Sequence, residues 1–232
     1  MKTLTINFDK AYPAFSPEYF TDSCKVEEPE NAGKEAFREL TLTGFDGYSF
    51  PHDLVANTVS FAKQAQNNLL RSGNHSDVMR LNCDKVVLFE LEGQKYMLFC
   101  ELKSTFSSDE IVHAKDQIVG SLVKIRSLFH TLQGVKLDEY KPIGLIVSFQ
   151  PTDEQINALS KNEDRKSAFA VRLNANRKCH MPEERTNWYF HPLNVGTIDV
   201  YYLPVPGRQK TYSVDINTII NKIGFVSPMT DD

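Results

Sequence analysis

Two short apolar segments joined by a glycine turn constrain the fold of this chain more than any other feature of its sequence. The segment 84–91 is rich in β-branched and aromatic residues, and after a turn at Gly93 a second such segment covers 95–103. This pattern predicts a β-hairpin. Both segments are apolar on both faces near their centres, so the hairpin is expected inside a sheet that helices cover on either side. The sequence therefore predicts a layered α/β fold.

Helical periodicity is found on both sides of this hairpin. Apolar residues recur at helical spacing between 51 and 72, which predicts a helix before the hairpin. After the hairpin, Ser107 and Glu110 form a capping-box pattern, and the apolar positions that follow keep helical register until Gly134. A long helix is therefore expected to follow the hairpin directly.

The remaining segments differ in how regular they are. Residues 142–149 and 197–203 are typical of buried strands. Residues 1–50 are rich in aromatic residues, proline and glycine, and we interpret them as an irregular N-terminal decoration. The region of about 150–195 is expected to start as a helix and continue as long loops, and a short final helix is expected over 213–223.

The size and charge of the chain limit what it can bind. With 232 residues it is long enough for one large α/β domain, here 51–232, but leaves little room for a second independent core. The net charge of −4 provides no overall attraction to phosphate, so any nucleic-acid binding has to use local patches. Basic residues between 165 and 185 are a candidate patch, and ordinary solvated loop charge explains them equally well.

The expected location is the cytoplasm. The first residues lack the apolar run of a secretory signal, and no stretch approaches the roughly 18 apolar residues of a membrane span. Four scattered cysteines without a Cys-x-x-Cys pair indicate free thiols and no structural zinc. Motifs of P-loop nucleotide hydrolysis, dinucleotide binding and serine hydrolysis do not occur in the sequence.

Three charged residues meet at one end of the predicted hairpin. Glu101 and Lys103 are separated by one residue, so the two-residue period of a strand puts both side chains on the same face. Asp84 opens the partner strand, and a turn at Gly93 places it opposite a position near 102 or 103. Burying a carboxylate and an ammonium in an apolar strand is unfavourable unless they have a partner or a function. These three residues are therefore the candidate site.

This set of side chains is suited to phosphodiester hydrolysis. Two carboxylates, Asp84 and Glu101, can hold Mg²⁺ or Mn²⁺ through hard oxygen ligands, while water and a substrate phosphate complete its coordination. The backbone carbonyl of Leu102 is a further candidate ligand. Lys103 is expected to orient the attacking water, to help remove its proton and to offset charge in the transition state.

The arrangement resembles the PD-(D/E)xK phosphodiesterases, also called the restriction-endonuclease-like superfamily. Asp84 is followed by sixteen residues and then by Glu101-Leu102-Lys103, on a hairpin between two helices. The resemblance covers about residues 51–150 and implies a restriction-endonuclease-like core, a central mixed β-sheet flanked by helices. It assigns metal binding to the two acids and catalysis to the lysine. Several branches place a glutamine of the next helix, here Gln117, near the active site.

The resemblance also implies what the protein acts on. The family consists mostly of metal-dependent nucleases that cut DNA, so a Mg²⁺-dependent or Mn²⁺-dependent endonuclease with DNA favoured over RNA is expected. Many of these enzymes pair to cut two strands, which implies a homodimer. No membrane partner is expected.

Simpler interpretations stand beside these expectations. An ion pair at the end of a hairpin explains the three charged groups without any function, and Gln117 fits a solvated helix surface equally well. The chain would then be a non-catalytic nucleic-acid-binding or protein-interaction module that retains the nuclease fold. The tripeptide 164–166, Asp-Arg-Lys, matches the same short pattern in a polar stretch, so the letters alone are not diagnostic.

Overall fold

A computed structural model describes five parts of the chain, which are residues 2–28, 36–51, 81–132, 136–181 and 196–222. The helices in these parts are α1 Lys2–Ala11, α2 Ser108–His130, α3 Asp153–Ser160 and α4 Arg165–Asn176. The strands are β1 Glu18–Phe20, β2 Ser23–Glu27, β3 Glu39–Thr43, β4 Gly47–Phe50, β5 Lys85–Leu91, β6 Gln94–Lys103, β7 Tyr140–Phe149, β8 Lys178–Met181, β9 Ile198–Val205 and β10 Thr211–Asp215.

The fold is α/β and is organised around a large mixed sheet. Its seven strands follow the order β1-β4-β5-β6-β7-β9-β8, and the hairpin of β5 and β6 lies at the centre. The hairpin strands are antiparallel to each other, whereas β6, β7 and β9 run parallel. The carboxyl ends of these three parallel strands therefore meet at one edge of the sheet, where ligand sites of α/β proteins are usually found.

Helices pack against one face of the large sheet, and a second sheet packs against the other. The long helix α2 buries its apolar side over strand residues such as Phe99 and Ile146. On the opposite face, the three-stranded sheet β10-β3-β2 covers residues such as Leu98 and Leu145. The large sheet is flanked by helices as expected, and a small sheet that the sequence did not predict covers part of its second face. β2 and β3 alternate buried and less buried residues, which gives this small sheet one apolar face of its own.

The N-terminal segment is regular and is part of the main layers, contrary to the expectation of an irregular decoration. It forms α1 and four strands, and β1 and β4 continue the large sheet. Phe8 of α1 is fully buried, and its ring lies 5.0 Å from Phe50 and 5.6 Å from Phe129 of α2. Aromatic residues that made the segment look irregular in sequence thus serve as anchors in the core.

The region expected to be mostly loops contains α3, α4 and β8. Thr152 and Gln155 form a capping box at the start of α3, and Asp164 caps α4 by accepting from two backbone N–H groups. α3 is the helical start that was expected for this region, whereas α4 and β8 lie where long loops were expected.

The chain's later strands lie where they were expected, but the final helix does not start at 213. Thr211–Asp215 form β10, which pairs in parallel with β3, and only Thr218–Lys222 form a short wide helical turn. Pairing with β3 buries Val214 in part against the small sheet, which outweighs local helix preference. The predicted helix over 51–72 and the segment 182–195 lie almost wholly outside the described residues. Among the helices that are described, none is long and apolar enough to cross a membrane.

Candidate active site

The three charged residues of the predicted site lie at the edge of the hairpin where β6 ends. The ladder pairs Lys85 of β5 with Cys100 of β6, so Asp84 lies opposite Glu101 rather than opposite 102 or 103. Glu101 and Lys103 share the face of β6 that α2 covers. The two-residue period of the strand thus brings all three side chains to one place beneath the helix.

Two hydrogen bonds interlock the acids across the hairpin. The backbone N–H of Leu102 donates to Asp84 Oδ2 at 2.7 Å, and the backbone N–H of Asp84 donates to Glu101 Oε2 at 3.2 Å. Neighbouring N–H and C=O groups of one strand residue point to the same side, so the Leu102 carbonyl also faces Asp84. Both carboxylates and this carbonyl therefore converge just beyond the start of β5.

Lys103 forms the centre of the polar cluster. Its Nζ lies 2.8 Å from Glu101 Oε1 and 3.8 Å from Glu110 Oε2 in the first turn of α2. It also donates to Gln117 Oε1 at 2.8 Å. Gln117 in turn donates from Nε2 to the carbonyl of Asn82 at 2.8 Å. The structure thus places Gln117 in contact with both the lysine and the segment that precedes Asp84, and not on a solvated helix surface.

One side of α2 holds the segment that carries Asp84 in position. Ser121 Oγ accepts from the backbone N–H of Cys83 at 2.8 Å, and Lys124 Nζ donates to the carbonyl of Leu81 at 2.7 Å. Lys124 also hydrogen-bonds the side chain of Asn82, and it is only 1% exposed. Together with Gln117 these residues recur at i, i+4 and i+7, which is one face of a helix. The helix therefore fixes the approach of β5 to the site.

Burial strongly affects the charge of the two acids. Glu101 is 2% exposed, and desolvation together with repulsion from Asp84 raises its pKa well above the usual value, against the attraction of Lys103. Desolvation likewise raises the pKa of Asp84 to about 6, although the hydrogen bond from Leu102 and the charge of Lys103 lower it. Two carboxylates in this environment hold protons readily, and a divalent cation between them would replace those protons.

The ammonium of Lys103 responds in the opposite way. Burial lowers its pKa, but the charge and hydrogen bond of Glu101, with further attraction from Glu110 and Asp84, outweigh this effect and raise the pKa overall. Lys103 is therefore a stable cation. It is available to stabilise negative charge, and it is not an effective base in this state of the site.

The residues present fit a divalent cation with few protein ligands. Mg²⁺ keeps several waters and commonly uses one or two carboxylates, which Asp84 and Glu101 provide beside the carbonyl of Leu102. Within the described parts of the chain, no group of three His, Cys, Asp or Glu side chains is arranged to hold a metal. Around this site, one buried carboxylate oxygen, Oε2 of Glu28, has no hydrogen-bond partner among the residues that the structure describes. A hydrated cation suits such a site better than a fully coordinated one.

Glu28 and Glu110 are site residues that sequence reasoning missed. Glu28 lies in the segment that was interpreted as an irregular N-terminal decoration, and Glu110 was assigned only to a helix cap. In the structure, the charges of Asp84, Lys103 and Glu110 all act on Glu28. A local signal existed for Glu110, because a helix that starts right after the hairpin places its first turn near the hairpin's end. No local signal indicated Glu28.

A cavity of about 790 Å³ opens beside the site at the carboxyl ends of β6 and β7. Its lining includes Glu28, Ser104 and Phe106 near the charged cluster, and Phe149, Gln155 and Arg208 farther away. The mixture of an aromatic wall and polar groups is typical of ligand sites. Asp84, Glu101 and Lys103 are not among its lining residues, so the cavity adjoins the charged cluster on the side of Glu28.

Other polar residues of α2 differ in their surroundings. His113 is exposed, and partial desolvation together with the charge of Lys103 lowers its pKa. Lys115 is only 4% exposed, because α4 packs against that side of α2, and its Nζ lies 5.7 Å from the centroid of the Phe169 ring.

No protein-family model matches the chain, and no curated protein or solved structure matches it. The function of the site is therefore inferred from its geometry and from the chemistry of its residues.

Proposed function

We propose that the chain is a metal-dependent phosphodiesterase of the restriction-endonuclease-like kind, which hydrolyses nucleic-acid backbones. The observation that carries the proposal is the convergence of two buried, interlocked carboxylates with a buried lysine, Asp84, Glu101 and Lys103, at the end of a central hairpin. Such an arrangement is energetically unfavourable without a cation, as the raised pKa values of both acids indicate. Strain of this kind is typical of functional sites.

Each residue has a separate role in the proposed reaction. Asp84, Glu101 and the Leu102 carbonyl would hold the cation, which supplies polarisation of the phosphate and activation of a water molecule. Lys103 holds its ammonium at the edge of this group and stabilises the negative charge that develops on the phosphate oxygens. Gln117 accepts one N–H of this ammonium and thereby orients the remaining N–H groups. Burial beneath α2 limits the access of bulk water.

The substrate proposed is DNA in preference to RNA, which rests on the family resemblance. The acidic chain requires local contacts for a polyanion, and Arg208 on the cavity wall is suitably placed for one of them. Pairing of two copies to cut both strands, and a cytoplasmic location, are part of the same proposal.

The decisive experiment compares cleavage by two matched variants. Purified protein is incubated with single-stranded and double-stranded DNA and RNA in Mg²⁺ or Mn²⁺, and cleavage is followed on gels. Glu101→Gln is expected to lose about 100-fold or more of the rate, since it removes a charge that holds the cation. Glu90→Gln removes an exposed carboxylate from the same hairpin and is expected to cut normally. Equal cleavage by both variants would refute the assignment.

A second candidate function is a binding module without catalysis. The observation that favours it is that Lys103 already has three partners, Glu101, Glu110 and Gln117, so the cluster is satisfied as an ion-pair network. Such a module would bind nucleic acid without cutting it and would gain no thermal stability from Mn²⁺. A true metal site raises the melting temperature by mass action.

A further inference from the structure

A carboxylate of the small sheet reaches the active site of the large one. Glu28 directly follows β2, and its backbone N–H donates to the carbonyl of Arg38 at 3.0 Å. The neighbouring Phe37 donates its backbone N–H to Ser104 Oγ at 3.2 Å. Ser104 is the residue after Lys103, so these two bonds attach this end of the small sheet to the end of β6.

The side chain of Glu28 is electrostatically part of the catalytic cluster. The charge of Asp84 acts on it, as do the opposing charges of Lys103 and Arg38. The effect is mutual, because Glu28 is among the groups that raise the pKa of Glu101. Desolvation and the repulsion of Asp84 raise the pKa of Glu28 itself to about 7. Glu28 is thus a third carboxylate close to Asp84 and Glu101, which already repel each other.

One oxygen of this carboxylate has no partner in the described part of the chain. Glu28 Oε2 is buried, and no described residue donates a hydrogen bond to it. A buried acceptor without a partner is unfavourable by about 1–3 kcal/mol, and in native proteins it usually marks a water molecule or an ion. The same residue also lines the cavity beside the site.

A direct bond from Glu28 to the cation is not what the geometry favours. Among the described residues, no three acidic, histidine or cysteine side chains are grouped closely enough to hold one ion. Mg²⁺ retains several of its waters in protein sites, and those waters need hydrogen-bond acceptors. Oε2 of Glu28, which has no partner among the described residues, is such an acceptor beside the cluster.

We propose that Glu28 is a positioning residue of the metal site, which accepts a hydrogen bond from a water molecule of the hydrated divalent cation held by Asp84 and Glu101. The small sheet then completes the site, because it places the Glu28 carboxylate beside the end of β6. This inference rests on the proposed function, since it requires a cation at the two acids. Partners of this indirect kind typically change metal affinity by about 10-fold to 100-fold.

The test is the Mn²⁺ affinity of the full chain at pH 8, measured by isothermal titration calorimetry and by the Mn²⁺-dependent shift in melting temperature. Glu28→Gln keeps the size of the side chain and removes its charge. Glu27→Gln is the matched control, because it removes the same charge from the adjacent, exposed residue. Melting temperatures in EDTA and circular dichroism establish that each variant is folded.

The proposal expects Glu28→Gln to bind Mn²⁺ about 10-fold more weakly, with an EDTA melting temperature no lower than that of the unaltered protein. Glu27→Gln is expected to bind normally. An equal loss in both variants would reflect net charge alone and would overturn the proposal, as would normal binding by Glu28→Gln. If Glu28→Gln does not fold, Glu28→Asp, which retracts the oxygens by one methylene, is measured instead and must also bind more weakly.

Failure of the inference and failure of the proposed function give different results. Normal Mn²⁺ binding by Glu28→Gln, together with lost binding in Asp84→Asn, refutes only the role of Glu28. Absence of Mn²⁺ binding by the unaltered protein refutes the metal site itself, and with it both proposals.

Discussion

Replacing Asp84 by asparagine is expected to stabilise the protein in the absence of metal, although it should abolish activity. The amide keeps the shape of the side chain and leaves an oxygen to accept the hydrogen bond from Leu102. It removes a charge that burial makes unfavourable and that repels Glu101. A residue kept for function at the expense of stability is expected to behave in this way.

The size of the effect follows from the pKa of Asp84. Burial raises it from 3.8 to about 6, and about 2 pKa units correspond to about 3 kcal/mol as an upper value. The folded state binds more protons than the unfolded state between these two pKa values, so the unaltered protein loses stability as pH rises through this window. The gain from Asp84→Asn is therefore complete above about pH 6 and disappears as pH falls below 3.8.

Urea and thermal unfolding in EDTA measure this gain directly. For a chain of this size, 3 kcal/mol corresponds to a rise in melting temperature of about 6–12 °C. Asp46→Asn is the matched control, because Asp46 also accepts a backbone N–H, from Asp22 at 2.9 Å, but is exposed. Excess Mn²⁺ is expected to reverse the order, since only the unaltered protein binds it. A folded Asp84→Asn protein that is no more stable in EDTA at pH 8 would refute the reasoning.

Three further outcomes are expected. Gln117→Ala should slow cleavage about 10-fold, because it releases both the Lys103 ammonium and the Asn82 carbonyl in the segment before Asp84. An unchanged cleavage rate would contradict this role. Ser121→Ala should lower the free energy of unfolding by about 1–3 kcal/mol, because the buried N–H of Cys83 loses its acceptor. Urea titration measures this loss, and an unchanged midpoint would contradict the role of Ser121. Mn²⁺ affinity measured by calorimetry should fall as the pH falls through about 6, because Asp84 then takes up a proton that competes with the cation. An affinity that does not change between pH 8 and pH 5 would exclude Asp84 as a ligand.

The sequence by itself predicted the features that depend on local periodicity. The two-residue period of β6 places Glu101 and Lys103 on one face whatever surrounds the strand, and the turn at Gly93 brings Asp84 close to them within one or two positions. The helix after the hairpin was predicted for the same reason, since its cap at Ser107 and its apolar period are local.

The short sequence pattern alone does not identify the site, as the polar tripeptide at 164–166 demonstrates. Asp164 in that tripeptide caps α4 with its carboxylate, and Lys166 forms an exposed pair with Asp109. The same three-residue pattern therefore caps a helix at 164–166 and forms a buried polar cluster at 101–103. The difference lies in whether an apolar strand surrounds it.

Only the tertiary structure decided which distant groups complete the site. Glu28 lies more than fifty residues before Asp84, and it reaches the cluster because the small sheet packs on the large one and attaches to Ser104. Lys124 is buried because the segment before β5 crosses it and supplies the Leu81 carbonyl and the Asn82 side chain as acceptors. Such contacts depend on the packing of layers, and packing joins residues that no local period relates.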